Sequence, residues 1–308
     1  MKTMNEFAEQ IVSEIPLYLS EKVINPEIRT ESVLKENDQI YTALIIQEEN
    51  VTNYPRIYLE DYYFSYRNGT GMDEILNELS GRYEKLVEYG KTLTKKAEIM
   101  KEPEEAKKLV TLRLVNKDRN EKLLEDRPHT DIGDLTCIYD VDLGYDSRIP
   151  ITEKVQNQLG LSREELHDLA MENTPRIKPA LIQTVGETLP FGIGPGSESM
   201  LVITNKEMID GASVILYPGV AETIRDRLDG DFYILPSSVH ELMAVRKEDA
   251  RLTALESIVR DVNENAFFNN QQDILSDHVY ECTEKGLERA VSRSERQRPA
   301  PELSMDAR

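Results

Sequence analysis

Apolar positions spaced three and four apart mark the first element. Phe7, Ile11, Val12, Ile15 and Leu19 predict a short N-terminal helix, broken or kinked at Pro16. The runs QIYTALIIQ (39–47) and PRIYLE (55–60) carry β-branched and aromatic residues on either side of the polar stretch ENVTN, and they predict two strands of a first sheet. EDYYFSYRNG predicts a helix ending at Gly69, and Met72, Ile75, Leu76, Leu79, Tyr83, Leu86 and Val87 keep the 3.6-residue period up to Gly90. The charged stretch 95–108, interrupted by Pro103, is the candidate linker.

Beyond the linker, LVTLRLVN (109–116) and DLTCIYDVDL (134–143) predict strands with the short helix KDRNEKLLED between them. A short helix is expected over Thr152–Leu159. A second opens at Ser162, where Ser162 and Glu165 have capping-box spacing, and Pro175 and Pro179 are expected to end it. FGIGPGSES (191–199) is a glycine-rich loop, LVITN (201–205) a strand, and ASVILYPG (212–219) a strand or an apolar turn into the helix GVAETIRDRL. In GDFYILPSSVHELMAV (230–245), Ser238 and Glu241 could cap a helix, but Pro236-Ser237-Ser238 between two strand-like runs favours a hairpin. LTALESIVRDVNEN predicts an amphipathic helix with Leu252, Leu255, Ile258, Val259 and Val262 on one stripe. The tail from Gly286 is charged and almost without large apolar residues, and it is expected to be disordered.

The sum is an α+β chain: mixed or antiparallel sheets with hairpins, packed by amphipathic helices and followed by a disordered C-terminal tail. The expected divisions are an N-terminal α+β domain over 1–94, the linker at 95–108, a C-terminal α+β domain over 109–285 and the tail at 286–308. The 37 basic and 57 acidic residues give a formal charge of −20. That balance disfavours direct binding to nucleic acid, whose phosphates require clustered Lys and Arg. A solvated surface is the first reading of the acidity, and a surface that meets a basic partner or imitates nucleic acid is the second. Glu6, Glu9 and Glu14 occupy the place of an apolar secretory core, no window is apolar enough to span a membrane, and Cys137 and Cys282 read as reduced thiols. Together these predict a cytoplasmic protein without membrane contact.

Candidate chemistry is sparse. The glycine-rich loop precedes a strand rather than a helix, so it lacks the context of a nucleotide cradle, and no P-loop pattern occurs. His240-Glu241 begins like a zinc-binding helix but has Ala244 in place of the second ligand, and no C-x-x-C pair is present. These patterns predict neither a metal nor a cofactor. Asp134, Asp140 and Asp142 lie along one strand near His129 and Asp131, and such a cluster could hold Mg²⁺; charged strand ends in an acidic protein are the plainer reading. If the chain is an enzyme, its candidate catalytic residues are His129, Asp134, Asp140 and His240. Candidate binding residues are Ser237, Ser238, Tyr62 and Tyr66, the last two from a series with Tyr54 and Tyr58 that could stack bases or simply pack against the first sheet. His167 reads as a surface residue. A Ser-His-Glu relay within 237–241 fails locally, because neighbours on a strand point to opposite faces.

The phrases LRLVN, DRPHTDIGDLTCIYDVDL, LGLSREELHDLAMENTPRI, VITNKEMIDGASVILYPGV, GDFYILPSSVHELMAV and DILSDHVY, in this order, resemble an uncharacterised bacterial domain-of-unknown-function family of gut anaerobes and their mobile elements. The resemblance covers roughly residues 5–283, and ILYPGV, GDFYILPSSVHE and LSDHVY are its landmarks. It implies a fold and a bacterial cytoplasmic setting, with no activity or catalytic residue attached. The leading expectation is therefore a non-enzymatic binding or interaction protein of a bacterial mobile element or its host, using an acidic surface to meet a protein partner. The alternatives are a metal-assisted hydrolase or nuclease with a His/Asp site, and an acidic DNA mimic acting on a defence system. Sequence leaves the oligomeric state open.

Overall fold

A computed structural model of the chain describes residues 2–49, 54–144, 147–188, 199–265 and 271–291. Among these residues the fold is α+β, with three antiparallel sheets. By its contacts the chain forms two compact units that interleave in sequence: Met1–Thr111, Arg119–Pro128 and Tyr139–Asn173 make the first, and Leu112–Asp118, His129–Ile138 and Thr174–Arg308 the second.

The first unit opens with α1 (Met4–Glu14), whose capping box pairs Thr3 with Glu6. The helix ends before Pro16 as expected, and a 3-10 turn containing that proline follows. Strands β1 (Glu27–Leu34), β2 (Ile40–Gln47) and β3 (Arg56–Tyr58) form an antiparallel sheet in that order. The expected pair is β2 and β3. The unexpected β1 has no fully buried residue, so its apolar alternation is weak in sequence. Helices α2 (Glu60–Arg67) and α3 (Met72–Ala97) then cover the sheet. Phe7, Ile11, Leu44, Ile46, Leu59, Ile75, Leu76 and Leu79 form the core between these elements. Burying each such side chain is worth roughly 1.5–3 kcal/mol.

Residues 95–108, expected as a linker, are helical over most of their length: α3 runs to Ala97, a 3-10 turn spans Glu98–Lys101, and α4 (Pro103–Lys107) follows. Pro103 starts α4, a position where its missing N–H costs nothing. Strands β4 (Val110–Asn116) and β6 (Leu135–Gly144) each run from one unit into the other. Between them lie α5 (Glu121–Leu124) and β5 (His129–Ile132), which forms a hairpin with β6, and β7 (Ser147–Pro150) pairs with the far end of β6. The predicted helices α6 (Glu153–Leu159) and α7 (Arg163–Ile177) follow, capped by Thr152 and by the Ser162–Glu165 box. Pro175 does not end α7 as expected. One ladder bond is lost there, and the ladder resumes with Lys178 N–H donating to Thr174 O at 2.8 Å.

The second unit is built on an antiparallel sheet of six strands: β8 (Ala180–Thr184), β9 (Met200–Asn205), β10 (Phe232–Leu235), β11 (Leu242–Arg246), β12 (Tyr280–Thr283) and β13 (Gly286–Arg289), in the spatial order β13-β12-β10-β11-β9-β8. The preferred hairpin at 230–246 is β10 paired with β11. The short helix α8 (Val185–Thr188) follows β8. The stretch 212–219, expected as a strand or an apolar turn into a helix, is the apolar turn: a largely buried 3-10 helix, Gly211–Leu216, leads into α9 (Val220–Leu228). In α10 (Leu252–Asn265), Leu255 and Val259 join the core, while Ile258 and Val262 of the expected single stripe are 52% and 55% exposed. The core covers the flank of the stripe that carries Leu252, Leu255 and Val259, and Ile258 and Val262 lie on the other flank. Strand β13 extends four residues into the expected tail, because Leu287 and Ala290 find buried sites. The expected glycine-rich loop, except Ser199, and the tail beyond Val291 lie outside the described residues.

Candidate functional site

Two polar clusters in the second unit contain Asp134, His240, Ser237 and Ser238, four of the residues to which sequence assigned chemistry. The first is centred on Asp134, in the turn between β5 and β6. Tyr280, the first residue of β12, donates its hydroxyl proton to Asp134 Oδ1 at 2.5 Å, and Ser276 Oγ donates to Oδ2 at 2.7 Å. The two hydroxyl oxygens lie 2.9 Å apart. Each hydroxyl has a single proton and both protons go to the carboxylate, leaving Ser276 Oγ as acceptor for the His278 amide at 3.1 Å. Ser276 is fully buried and Tyr280 is 1% exposed. Burial, followed by the hydrogen bond to Asp134, holds the Tyr280 hydroxyl well above the ordinary phenol range. Neighbouring amides extend the network: Asn116 Nδ2 donates to Leu275 O at 2.9 Å, and Asn263 Nδ2 donates to Ser276 O at 2.9 Å and Asp277 Oδ1 at 2.8 Å.

The second cluster surrounds His240, in the loop between β10 and β11. The Asp210 amide donates to His240 Nδ1 at 3.1 Å, and Nε2 faces Asp273 Oδ1 at 3.6 Å. The lone pair of a neutral imidazole is thus engaged by a backbone N–H, and the ring proton sits on Nε2. Ser238 Oγ accepts from the His240 amide at 3.0 Å, and Ser237 Oγ donates to Glu241 Oε1 at 3.5 Å. Thr204 Oγ1 donates to His240 O at 2.8 Å. A Cβ added at Gly211 would lie 2.2 Å from Thr204 Oγ1 and 2.5 Å from His240 O, so only glycine permits this approach. These bonds tie the β10–β11 loop to the 3-10 segment and to Asp273. A serine nucleophile would need the Nδ1 or Nε2 lone pair, and the one that exists is already in use.

The other candidates stand apart from these clusters. His129 Nε2 lies 3.9 Å from Asp131 Oδ1. Burial pushes the Asp131 carboxyl up, but hydrogen bonds from Lys117 and Thr136 and the charges of Lys117 and His129 outweigh it and hold the group below its usual value. In the first unit, Asp140 is 3% exposed and its Oδ1 lies 3.9 Å from Arg127 Nη1. His167, expected at the surface, is half-buried, and its Nδ1 lies 2.9 Å from the Tyr139 hydroxyl. Tyr62 and Tyr66 pack against the core beside Phe7, with the Phe7 and Tyr66 ring centroids 5.1 Å apart. Among the described residues no three His, Cys, Asp or Glu side chains come together as a metal-binding group.

The residues that sequence reasoning missed are Ser276, Tyr280, Asp273 and Asp210. Ser276 and Tyr280 lie in the landmark LSDHVY, and their separation of four residues was the one available signal. The partner they share, Asp134, is 142 residues from Ser276.

No helix among the described residues is long and apolar enough to cross a membrane. No curated protein and no solved structure matches the chain. A family model described as a family of unknown function, DUF5688, matches residues 4–283, nearly the whole chain. The protein therefore belongs to the DUF5688 family.

Proposed function

We propose that the protein is a non-enzymatic binding protein of the bacterial cytoplasm, serving a mobile element or its host and meeting a protein partner through its acidic surface. The observation that carries this reading is the use made of Asp134. Both of its oxygens accept protons from Tyr280 and Ser276, so the carboxylate that would anchor a metal or act as a base serves to fasten β12 to the β5–β6 turn. His240 supports the same reading, since its acceptor nitrogen takes the Asp210 amide. The acidic excess, 57 against 37, occurs in both units and favours a basic protein surface as the partner.

The test is co-purification of the full chain from its native host at low ionic strength, followed by elution with salt. A stoichiometric protein partner released by salt supports the proposal, because screening weakens contacts between surface charges. A solitary protein with a hydrolytic activity that Asp134→Asn abolishes, while the fold is retained, would overturn it in favour of the hydrolase or nuclease reading. Release of DNA from a defence enzyme by the purified chain would favour the mimic instead.

A further inference from the structure

Asn68-Gly69 is the one Asn-Gly pair in the chain, and it lies where α2 ends and the turn to α3 begins. Both residues are exposed. Gly69 has φ +101°, and the place a Cβ would occupy has nothing within 4 Å. We infer that Asn68 is a self-modifying site, at which the Gly69 backbone nitrogen converts the Asn68 side-chain amide to an acid. In the first step the Gly69 nitrogen attacks Asn68 Cγ. A new C–N bond closes a five-membered imide, and the side-chain nitrogen leaves as ammonia with the proton from the Gly69 amide. In the second step water adds to one of the two imide carbonyls and breaks its C–N bond. The product is aspartate, or isoaspartate if the chain continues through the former side chain.

Glycine suits this chemistry because no side chain obstructs the approach of its nitrogen. The structure also supplies a brake. The Gly69 N–H donates to Tyr66 O at 3.1 Å, and the adjoining Thr70 N–H donates to Ser65 O at 3.0 Å. The nitrogen must lose its proton and turn toward Asn68 Cγ, so the last turn of α2 has to open first. Helix ends open at low cost in free energy compared with the core. The reaction therefore runs at a rate set by opening of the α2–α3 turn. Its product places a new negative charge at a helix C-terminus, where the backbone carbonyls already concentrate negative potential. Each conversion consequently loosens the turn that had slowed it.

The experiment is incubation of the folded full chain in mildly alkaline buffer, and of the same chain in urea, with peptide mapping by mass spectrometry. Asn68 is expected to gain the mass of an amide-to-acid change before any other asparagine, with both aspartyl and isoaspartyl products, and several-fold faster in urea. Asn68→Gln is expected to abolish the change without altering the fold, because its longer side chain would have to close a less favourable six-membered ring. Retention of the Asn68 amide in urea, or conversion of other asparagines first, would overturn the assignment. Equal rates in the folded and unfolded chains would overturn the brake.

Discussion

Tyr280 and Asp134, separated by 146 residues in sequence, share a 2.5 Å hydrogen bond, with Ser276 completing the carboxylate's coordination. The bond joins the landmark LSDHVY to the turn of the β5–β6 hairpin. Removing the Tyr280 hydroxyl with Tyr280→Phe leaves one carboxylate oxygen without its donor at little change in volume. The expected cost is about 1–3 kcal/mol. Urea denaturation should show a lower midpoint with an unchanged slope, and a midpoint equal to that of the natural chain would refute a stabilising role for the bond.

Gly211→Ala is expected to be more damaging. Its methyl group would sit 2.5 Å from the His240 carbonyl and 2.8 Å from the Asn205 amide, both backbone atoms that cannot turn aside. Overpacking of this kind typically costs about 1–3 kcal/mol, and more where backbone atoms must shift. Thermal unfolding would register a clear fall in Tm, whereas a variant as stable as its parent would mean that the loop is free to move.

The cap of α7 should respond to pH. Hydrogen bonds from the Ser162 amide and hydroxyl hold the Glu165 carboxyl below the usual carboxylate range. A group whose pKa is depressed by folding stabilises the fold above its unfolded pKa, and that contribution disappears as pH falls through the folded value. Ser162→Ala, worth about 1 kcal/mol by loss of the cap, should therefore matter at neutral pH and lose part of its effect in acid. Stability curves of the two chains that stay parallel down to strongly acid pH would contradict this.

Both cysteines should be poor nucleophiles in the native state. Burial pushes the Cys137 thiol up to about 12 and the Cys282 thiol up to about 11, and the thiolate is the reactive form. A colourless disulfide reagent that releases a coloured thiolate should react slowly with the folded chain near neutral pH and promptly with both thiols in urea. Rapid labelling of either one in the folded chain would show that its site opens to solvent.

How much was legible in the sequence followed the range of the forces involved. Helix α3 was readable because Ile75, Leu76, Leu79 and Tyr83 carry its buried face at a local period, and the α7 cap because Ser162 and Glu165 meet three residues apart. The β10–β11 hairpin was readable because Pro236-Ser237-Ser238 separates two strand-forming runs. Strand β1 was hidden by its half-exposed residues, and the helicity of 95–108 by a proline that proved to be a helix start. The Asp134 network was hidden for another reason. Its members become neighbours only after the chain has closed a loop of 142 residues, and no spacing rule reaches that far. His240 and Ser238 were conspicuous because they stand close together, yet the imidazole accepts from the Asp210 amide and the Ser238 hydroxyl from the His240 amide, so the two side chains are not joined in a relay.

The interleaving of the two units sets a limit on how the protein can be taken apart. Each unit is assembled from three separate stretches, and the boundary between units crosses β4 between Thr111 and Leu112. A cut at residue 94 or 108 therefore divides the first unit and leaves its later stretches joined to the second, and a single protease nick liberates neither. Dissection will have to proceed by point substitution in the whole chain, and a partner cannot be assigned to either half by expressing that half alone.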